Sequence, residues 1–129
     1  MSRKSRGIAG ERELVHKFWG NGWACIRVAG SGSSRYPCPD LLAGNNLRKL
    51  AIECKLVKSM DKYLSDEELK QLKTFAEKFG AESWLAIKFK GFDWLFINLE
   101  DLKETNKGAG ISFEAAKLKG LSFDELIEK

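Results

Sequence analysis

Apolar residues recur along the chain with two different periods, and each change of period marks a change of element. Across residues 7–19, Ile8, Leu14, Val15, Phe18 and Trp19 fall on one helical stripe. Glu11 lies inside that stripe, between Ile8 and Leu14, while Glu13 points elsewhere. Gly20-Asn21-Gly22 ends the helix. Residues 23–29 are aromatic and β-branched enough for a strand, and residues 30–39 are a loop rich in Gly, Ser and Pro. Residues 40–44 read as a short buried strand, Asn45-Asn46 as a turn, and residues 48–57 as the next strand. In that strand the two-residue period puts Leu50, Ile52, Cys54 and Leu56 on one face. Glu53 and Lys55 share the other face, side by side. Residues 59–64 read as a polar connector, and Ser65-Asp66-Glu67-Glu68 as a capping box. It opens a helix with Leu69, Leu72, Ala76 and Phe79 on one side, stopped by Gly80. Residues 82–90 and 92–98 are two more strands parted by Gly91. Residues 108–110 read as a turn, 111–113 as an edge strand, and Ser122-Phe123-Asp124-Glu125 as the start of a last short helix. The order αβββαββ with an irregular tail describes a mixed α/β sandwich.

Length adds that 129 residues suit one compact domain with a core that needs no metal or disulfide staple to fold. Uncharged apolar runs such as residues 84–87 are far too short to cross a bilayer, so no membrane segment is expected. The basic start leads into no apolar stretch, which argues against a secretory signal. Cys25, Cys38 and Cys54 form no C-x-x-C pair and His16 stands alone, on the polar side of its helix. This argues against zinc fingers and disulfide scaffolds, and a reducing cytoplasm is the expected location. Cys54 is expected to pack with Ile52 rather than act as a nucleophile.

The net charge of +4 conceals an asymmetry: residues 1–58 sum to +7 and residues 59–129 to −3. All six arginines (Arg3, Arg6, Arg12, Arg27, Arg35 and Arg48) lie in the first part. Arginine suits planar, bidentate phosphate contact, so this pattern points to a nucleic-acid-facing half and a solvated or partner-facing half, although basic faces are common in themselves. Only four acids occur there, Glu11, Glu13, Asp40 and Glu53, and three are oddly placed. Glu11 is on an apolar stripe, Asp40 follows Pro39 at the head of a strand, and Glu53 stands beside Lys55. Carboxylates near one another on a buried face are costly unless paired or bound to a metal, and oxygen-liganded divalent cations relieve them. Asp40 and Glu53 are the candidate Mg²⁺ ligands; Lys55 would orient or deprotonate a water, or stabilise charge at phosphorus. The pattern Asp…Glu-x-Lys is short, and a surface Asp with a salt-bridged Glu–Lys pair on a strand remains an open reading.

The motifs in their order resemble the archaeal Holliday junction resolvases, relatives of type II restriction endonucleases. Residues 7–14 (Gly-Ile-Ala-Gly-Glu-Arg-Glu-Leu) are similar to that family's Gly-x-x-x-Glu-Arg element. Residues 27–33 are similar to its arginine and small-residue loop. Pro39-Asp40-Leu41-Leu42-Ala43 and Ile52-Glu53-Cys54-Lys55 are similar to its metal motifs, and residues 120–126 to its C-terminal ending. The resemblance implies a single-domain restriction endonuclease-like fold, a mixed central β-sheet flanked by helices over residues 1–129. It implies a Mg²⁺-dependent endonuclease that places paired nicks in four-way DNA junctions, with one or two ions per site and Mn²⁺ as a substitute. Water would attack in line and the bond to the 3′ oxygen would break, leaving 5′-phosphate and 3′-hydroxyl ends. The catalytic set would be Glu11, Asp40, Glu53, Lys55 and the loop serine Ser31. Glu11, Asp40 and Glu53 would be the metal set, Glu11 acting directly or through a water. A homodimer would match the junction's two-fold symmetry. One departure is the acidic run at residues 66–68, where the family tends to be basic; it weakens DNA grip there or simply favours the helix N-terminus.

DNA contacts are expected from Arg12, Arg27 and Arg35, and from a flexible basic arm over residues 1–6 carrying Arg3, Lys4 and Arg6. The arm can equally be read as a soluble tail, Ser31 as turn chemistry, and Arg35 with Tyr36 as solvent-exposed. The four tryptophans are expected mostly in the core, with one or two of them, or Phe89, Phe92 or Phe96, at a subunit interface. Two other classes stay open: a nuclease of the same fold acting on duplex or flap DNA, and a non-catalytic architectural DNA-binding protein. Recombination or replication proteins are left open as partners.

Overall fold

The N-terminal helix begins four residues earlier than its apolar stripe. The computed structural model describes residues 3–30, 33–105 and 108–128, and α1 runs Arg3–Gly20. Residues 3–6, expected as part of a flexible arm, are therefore helical in backbone. The stripe could not reveal this, because those residues carry no apolar side chain, and Gly7 is tolerated inside a helix at a cost of about 1 kcal/mol. Leu14 and Phe18 are fully buried, while His16 is exposed as its polar-face position requires.

The central sheet has the order β1-β2-β3-β5-β6, with β1 Ala24–Arg27, β2 Leu41–Gly44, β3 Lys49–Val57, β5 Glu82–Phe89 and β6 Leu95–Asn98. β3 and β5 are parallel and the other neighbours antiparallel, so the sheet is mixed as expected. The parallel step needs a crossover, and β4 (Asp61–Ser65) with α2 (Asp66–Phe79) supplies it. One face of the sheet packs Ile52, Trp84 and Phe96 against Leu14 and Phe18 of α1 and against Phe123 and Leu126 of α4 (Phe123–Glu128). The other face packs Ala51, Leu85 and Ile87 against Leu69, Leu72 and Ala76 of α2. A mixed sheet with helices on both faces is the architecture that the resemblance implied.

The expectations fail where pairing is non-local. Residues 59–64, read as a connector, contain most of β4, and residues 108–113 contain β8 (Gly108–Ser112), which is no edge strand. β8 is the middle of a second sheet, β4-β8-β7, with β7 at Lys103–Thr105. These strands are short and interrupted by glycine and charge, so they carry little period-2 signal and exist by pairing. α3 (Phe113–Lys119) was also unforeseen, although Ser112 caps it by accepting the Ala115 N–H at 3.1 Å. The tryptophan expectation holds for Trp23, Trp84 and Trp94, all buried, but Trp19 is 59% exposed. Phe89 and Phe96 are fully buried core residues and cannot serve an interface, whereas Phe92 is partly exposed. No described helix is long and apolar enough to cross a membrane.

Candidate active site

The β2–β3 hairpin brings Asp40 and Glu53 together. Its register pairs Leu41 with Ile52, so Asp40, just before β2, arrives beside Glu53. The Asp40 N–H donates to the Ile52 carbonyl at 3.0 Å, and its own carbonyl accepts from the Val28 N–H at 2.8 Å. Asp40 Oδ2 accepts the Cys54 N–H at 2.9 Å, taking the position a ladder carbonyl would occupy. That hydrogen bond holds the carboxylate at the end of the sheet next to the Glu53–Lys55 segment.

Glu53 and Lys55 share a face of β3, as alternation demands, with Lys55 Nζ 3.4 Å from Glu53 Oε2. The face is the one covered by α2, and both side chains are only about one fifth exposed: 21% for Glu53 and 20% for Lys55. Burial, and then the negative charge of Asp40, push the Glu53 carboxyl up to about 8; Lys55 opposes this and Glu68 adds to it. Burial works against the charged form of Lys55, but the hydrogen bond to Glu68 and the charges of Glu53, Glu68 and Asp40 outweigh it and raise the lysine. Without a bound cation, Glu53 thus tends to hold its proton at neutral pH, while Lys55 stays an ammonium ion.

Glu68 is the residue that sequence reasoning missed. Lys55 Nζ lies 2.6 Å from Glu68 Oε1, closer than to Glu53. Ser65-x-x-Glu68 was legible as a capping box, and the box is present. Nothing in the spacing of residues 55 and 68 announces that the capping glutamate also takes the site lysine; that follows from β4 and α2 folding back over β3.

Glu11 reaches the site from α1 and pairs with Arg27 Nη1 at 3.6 Å. Burial and the charge of Asp40 raise the Glu11 carboxyl, while Arg27 pulls it down. Glu11 and Arg27, 17% and 23% exposed, thus stand close to the Asp40 charge as the motif order suggested. Arg12 and Arg35 are exposed, as DNA contacts must be, and Tyr36 is 73% exposed. Arg6 is partly buried on α1. Ser31 lies outside the described residues, as do the side chains of Arg3 and Lys4. Pro37 lines a shallow cleft with Asp66, Glu67 and Gln71, so the acidic start of α2 borders the loop. Cys54 has its thiol pushed well above the usual range by burial and by the nearby carboxylates, which makes it no nucleophile.

Arg48 departs from the group reading of the arginines. Its Nε and Nη2 each lie 2.8 Å from the two oxygens of Glu82, and Nη1 donates to the Leu126 carbonyl at 2.6 Å. It also stands over the Trp23 ring, 5.5 Å from the centroid. This arginine ties β3's start to β5 and α4 and is committed to the fold.

The donor set fits a divalent cation. Asp40 and Glu53 are hard oxygen ligands on a partly buried face where burial and the Asp40 charge oppose the ionisation of Glu53, and a cation would favour it. Among the described residues no three His, Cys, Asp or Glu side chains are arranged to hold one ion, so Glu11, Asp40 and Glu53 do not form a ready three-carboxylate cage. Magnesium does not demand one: it is commonly bound through one or two carboxylates, with water and substrate phosphate completing the shell.

Comparison with known proteins identifies the family. The family model described as archaeal Holliday junction resolvase (Hjc) matches residues 2–129. A relative in Archaeoglobus fulgidus named crossover junction endodeoxyribonuclease Hjc is 43% identical, over 95% of this chain and 95% of its own. Relatives of the same name are 34% identical in Sulfolobus acidocaldarius (98% of this chain, 90% of theirs) and 37% identical in Methanocaldococcus jannaschii (95% and 86%). The solved structure of the A. fulgidus Hjc, titled a Holliday junction resolvase from an archaeal hyperthermophile, superposes with a TM-score of 0.87 over 93% of this chain and 97% of that one. With a family model matched over residues 2–129, relatives matched over nearly their whole length and a solved structure of the same fold, this chain belongs to the archaeal Holliday junction resolvase family.

Proposed function

We propose that this protein is a Holliday junction resolvase, a structure-selective endodeoxyribonuclease that hydrolyses phosphodiesters in four-way DNA junctions with Mg²⁺. The observation that carries the chemistry is the Asp40–Glu53–Lys55 group, in which the β2–β3 register sets two carboxylates side by side and Lys55 Nζ stands 3.4 Å from Glu53 Oε2. Asp40 and Glu53 would hold the cation, with Glu11 completing the acidic set. The cation, when bound, neutralises charge on the phosphate and lowers the pKa of the attacking water. Asp40, fixed by the Cys54 N–H, presents its carboxylate without a rotamer search. Lys55 places a positive charge where negative charge grows on the phosphorane-like transition state. Arg27 holds Glu11 and offers a planar guanidinium to the incoming backbone. Water attacks phosphorus in line, and the bond to the 3′ oxygen breaks.

A four-way junction has approximate two-fold symmetry, so a C₂ homodimer would present two equal sites to two strands and give paired nicks. Ser31 belongs to this proposal through its place in the motif order, and Arg3 and Lys4 through the basic charge of residues 1–6. Binding is read as mainly phosphate and shape recognition, which predicts a steep fall of affinity with salt. The test is cleavage of labelled junction, flap and linear duplex side by side, with Mg²⁺ and with chelator. Paired nicks confined to the junction and lost in EDTA are expected. Asp40→Ala should abolish cleavage with junction binding retained. Equal cutting of linear duplex would overturn the junction assignment, and full activity of Asp40→Ala would overturn the site.

A further inference from the structure

A lysine ammonium on a flexible four-carbon stem must be held in place to serve a reaction, and the partner that holds Lys55 is not Glu53. The 2.6 Å contact with Glu68 Oε1 is the shorter by far, against 3.4 Å to Glu53 Oε2. Glu68 is itself fixed. Its second oxygen, Oε2, accepts the Ser65 N–H at 3.0 Å, and its own N–H donates to Ser65 Oγ at 3.2 Å. The two carboxylate oxygens thus do different jobs, one closing the helix cap and one holding the lysine. Ser65 is also the last residue of β4, whose pairing with β8 sets Ser65 opposite Gly108. A continuous chain of pairings therefore runs from the second sheet through the cap of α2 to the lysine of the central sheet.

We propose that Glu68 is a positioning residue for Lys55: the capped carboxylate sets where the ammonium stands beside Glu53 and so aims it for the reaction. This rests on the reading of Lys55 as the site lysine. It also assigns work to the small second sheet, which braces the residue that aims the lysine. Capping alone would need only one oxygen of Glu68, and a glutamine serves a capping box as well as a glutamate. The distinction between capping and aiming is therefore testable at this one position.

The discriminating variant is Glu68→Gln, which can still accept the Ser65 N–H but turns no negative charge toward Lys55. Single-turnover junction cleavage should fall about 10–100-fold, with junction Kd within about twofold of wild type and the variant fully folded at the assay temperature, its melting temperature lowered only by the lost charge-assisted bond to Lys55. Glu68→Asp, with its charge drawn back by one methylene, should fall between the two. On the metal-free protein, amine acylation read by mass spectrometry should label Lys55 faster in Glu68→Gln, relative to the other lysines. Added to Lys55→Met, the Glu68→Gln change should cost nothing further in cleavage rate. A wild-type rate in Glu68→Gln, or an equal loss in the Lys55→Met background, overturns the proposal. So does a rate loss that tracks the fraction of protein unfolded at the assay temperature. If Lys55→Met itself cleaves at the wild-type rate, the site reading falls and takes this inference with it; an inactive Lys55→Met with a silent Glu68→Gln overturns this inference alone.

Discussion

Glu53→Gln should stabilise the metal-free protein while ending its cleavage. The groups facing Glu53 are Asp40 ahead of β2, Lys55 on its own strand and Glu68 from α2. Its carboxyl is raised from 4.5 to about 8, so the folded state holds the proton more tightly than the unfolded chain does. Stability from this group is therefore full below pH 4.5 and is lost as pH rises toward 8. At pH 7 linkage puts the cost near 3 kcal/mol. Glutamine removes that cost but also deprives Lys55 of its weaker partner, which leaves a net gain of about 1–3 kcal/mol. For a chain of this size that is about 4–12 °C in melting temperature. Thermal melts of both proteins in EDTA, from pH 4 to 9, read it directly. The two curves should coincide near pH 4, separate as pH rises, and stay parallel above pH 9. Added Mg²⁺ should raise the wild type and narrow the gap, since a ligand bound only by the folded state stabilises it. A gap independent of pH, or a variant less stable than wild type throughout, would refute the account of Glu53.

Two further perturbations follow from the same geometry. Arg48→Ala breaks the bidentate pair with Glu82, the bond to the Leu126 carbonyl and the contact with Trp23. Because Glu82 is 39% exposed, its solvated share of the pair counts for little, and denaturant melts should show a loss of about 2–3 kcal/mol. Cleavage by the folded fraction should be unchanged. Arg27→Ala removes the counter-ion of Glu11 and a cation from the site, so single-turnover cleavage should drop about tenfold or more, with a shallower salt dependence of junction binding. An unchanged rate would remove Arg27 from the site.

The local features of the chain were legible. α2 was bounded correctly because both of its ends carry chemistry, the Ser65 cap and Gly80, which sits in the left-handed region at φ 81°. The Glu53–Lys55 pairing on one face of β3 followed from a two-residue period alone. The second sheet was not legible, because β4, β7 and β8 owe their extended form to one another and not to their own composition. The charge count shows the same division. Residues 59–129 carry a −3 balance, and Glu68 and Glu82 of that part reach back to Lys55 and Arg48 of the first.

By itself the sequence determined the helix and strand periods, the order of the motifs and the candidate residues for a cation and a phosphate. Those are properties of spacing, and spacing along an element converts into a face through a fixed helical or pleated repeat. Tertiary structure alone decided that Asp40 stands at the sheet end on the Cys54 N–H, that Arg48 serves the fold and not the site, and that Lys55 is held by a capping glutamate thirteen residues away. Such partnerships are made by packing one element across another, and no repeat along the chain encodes them.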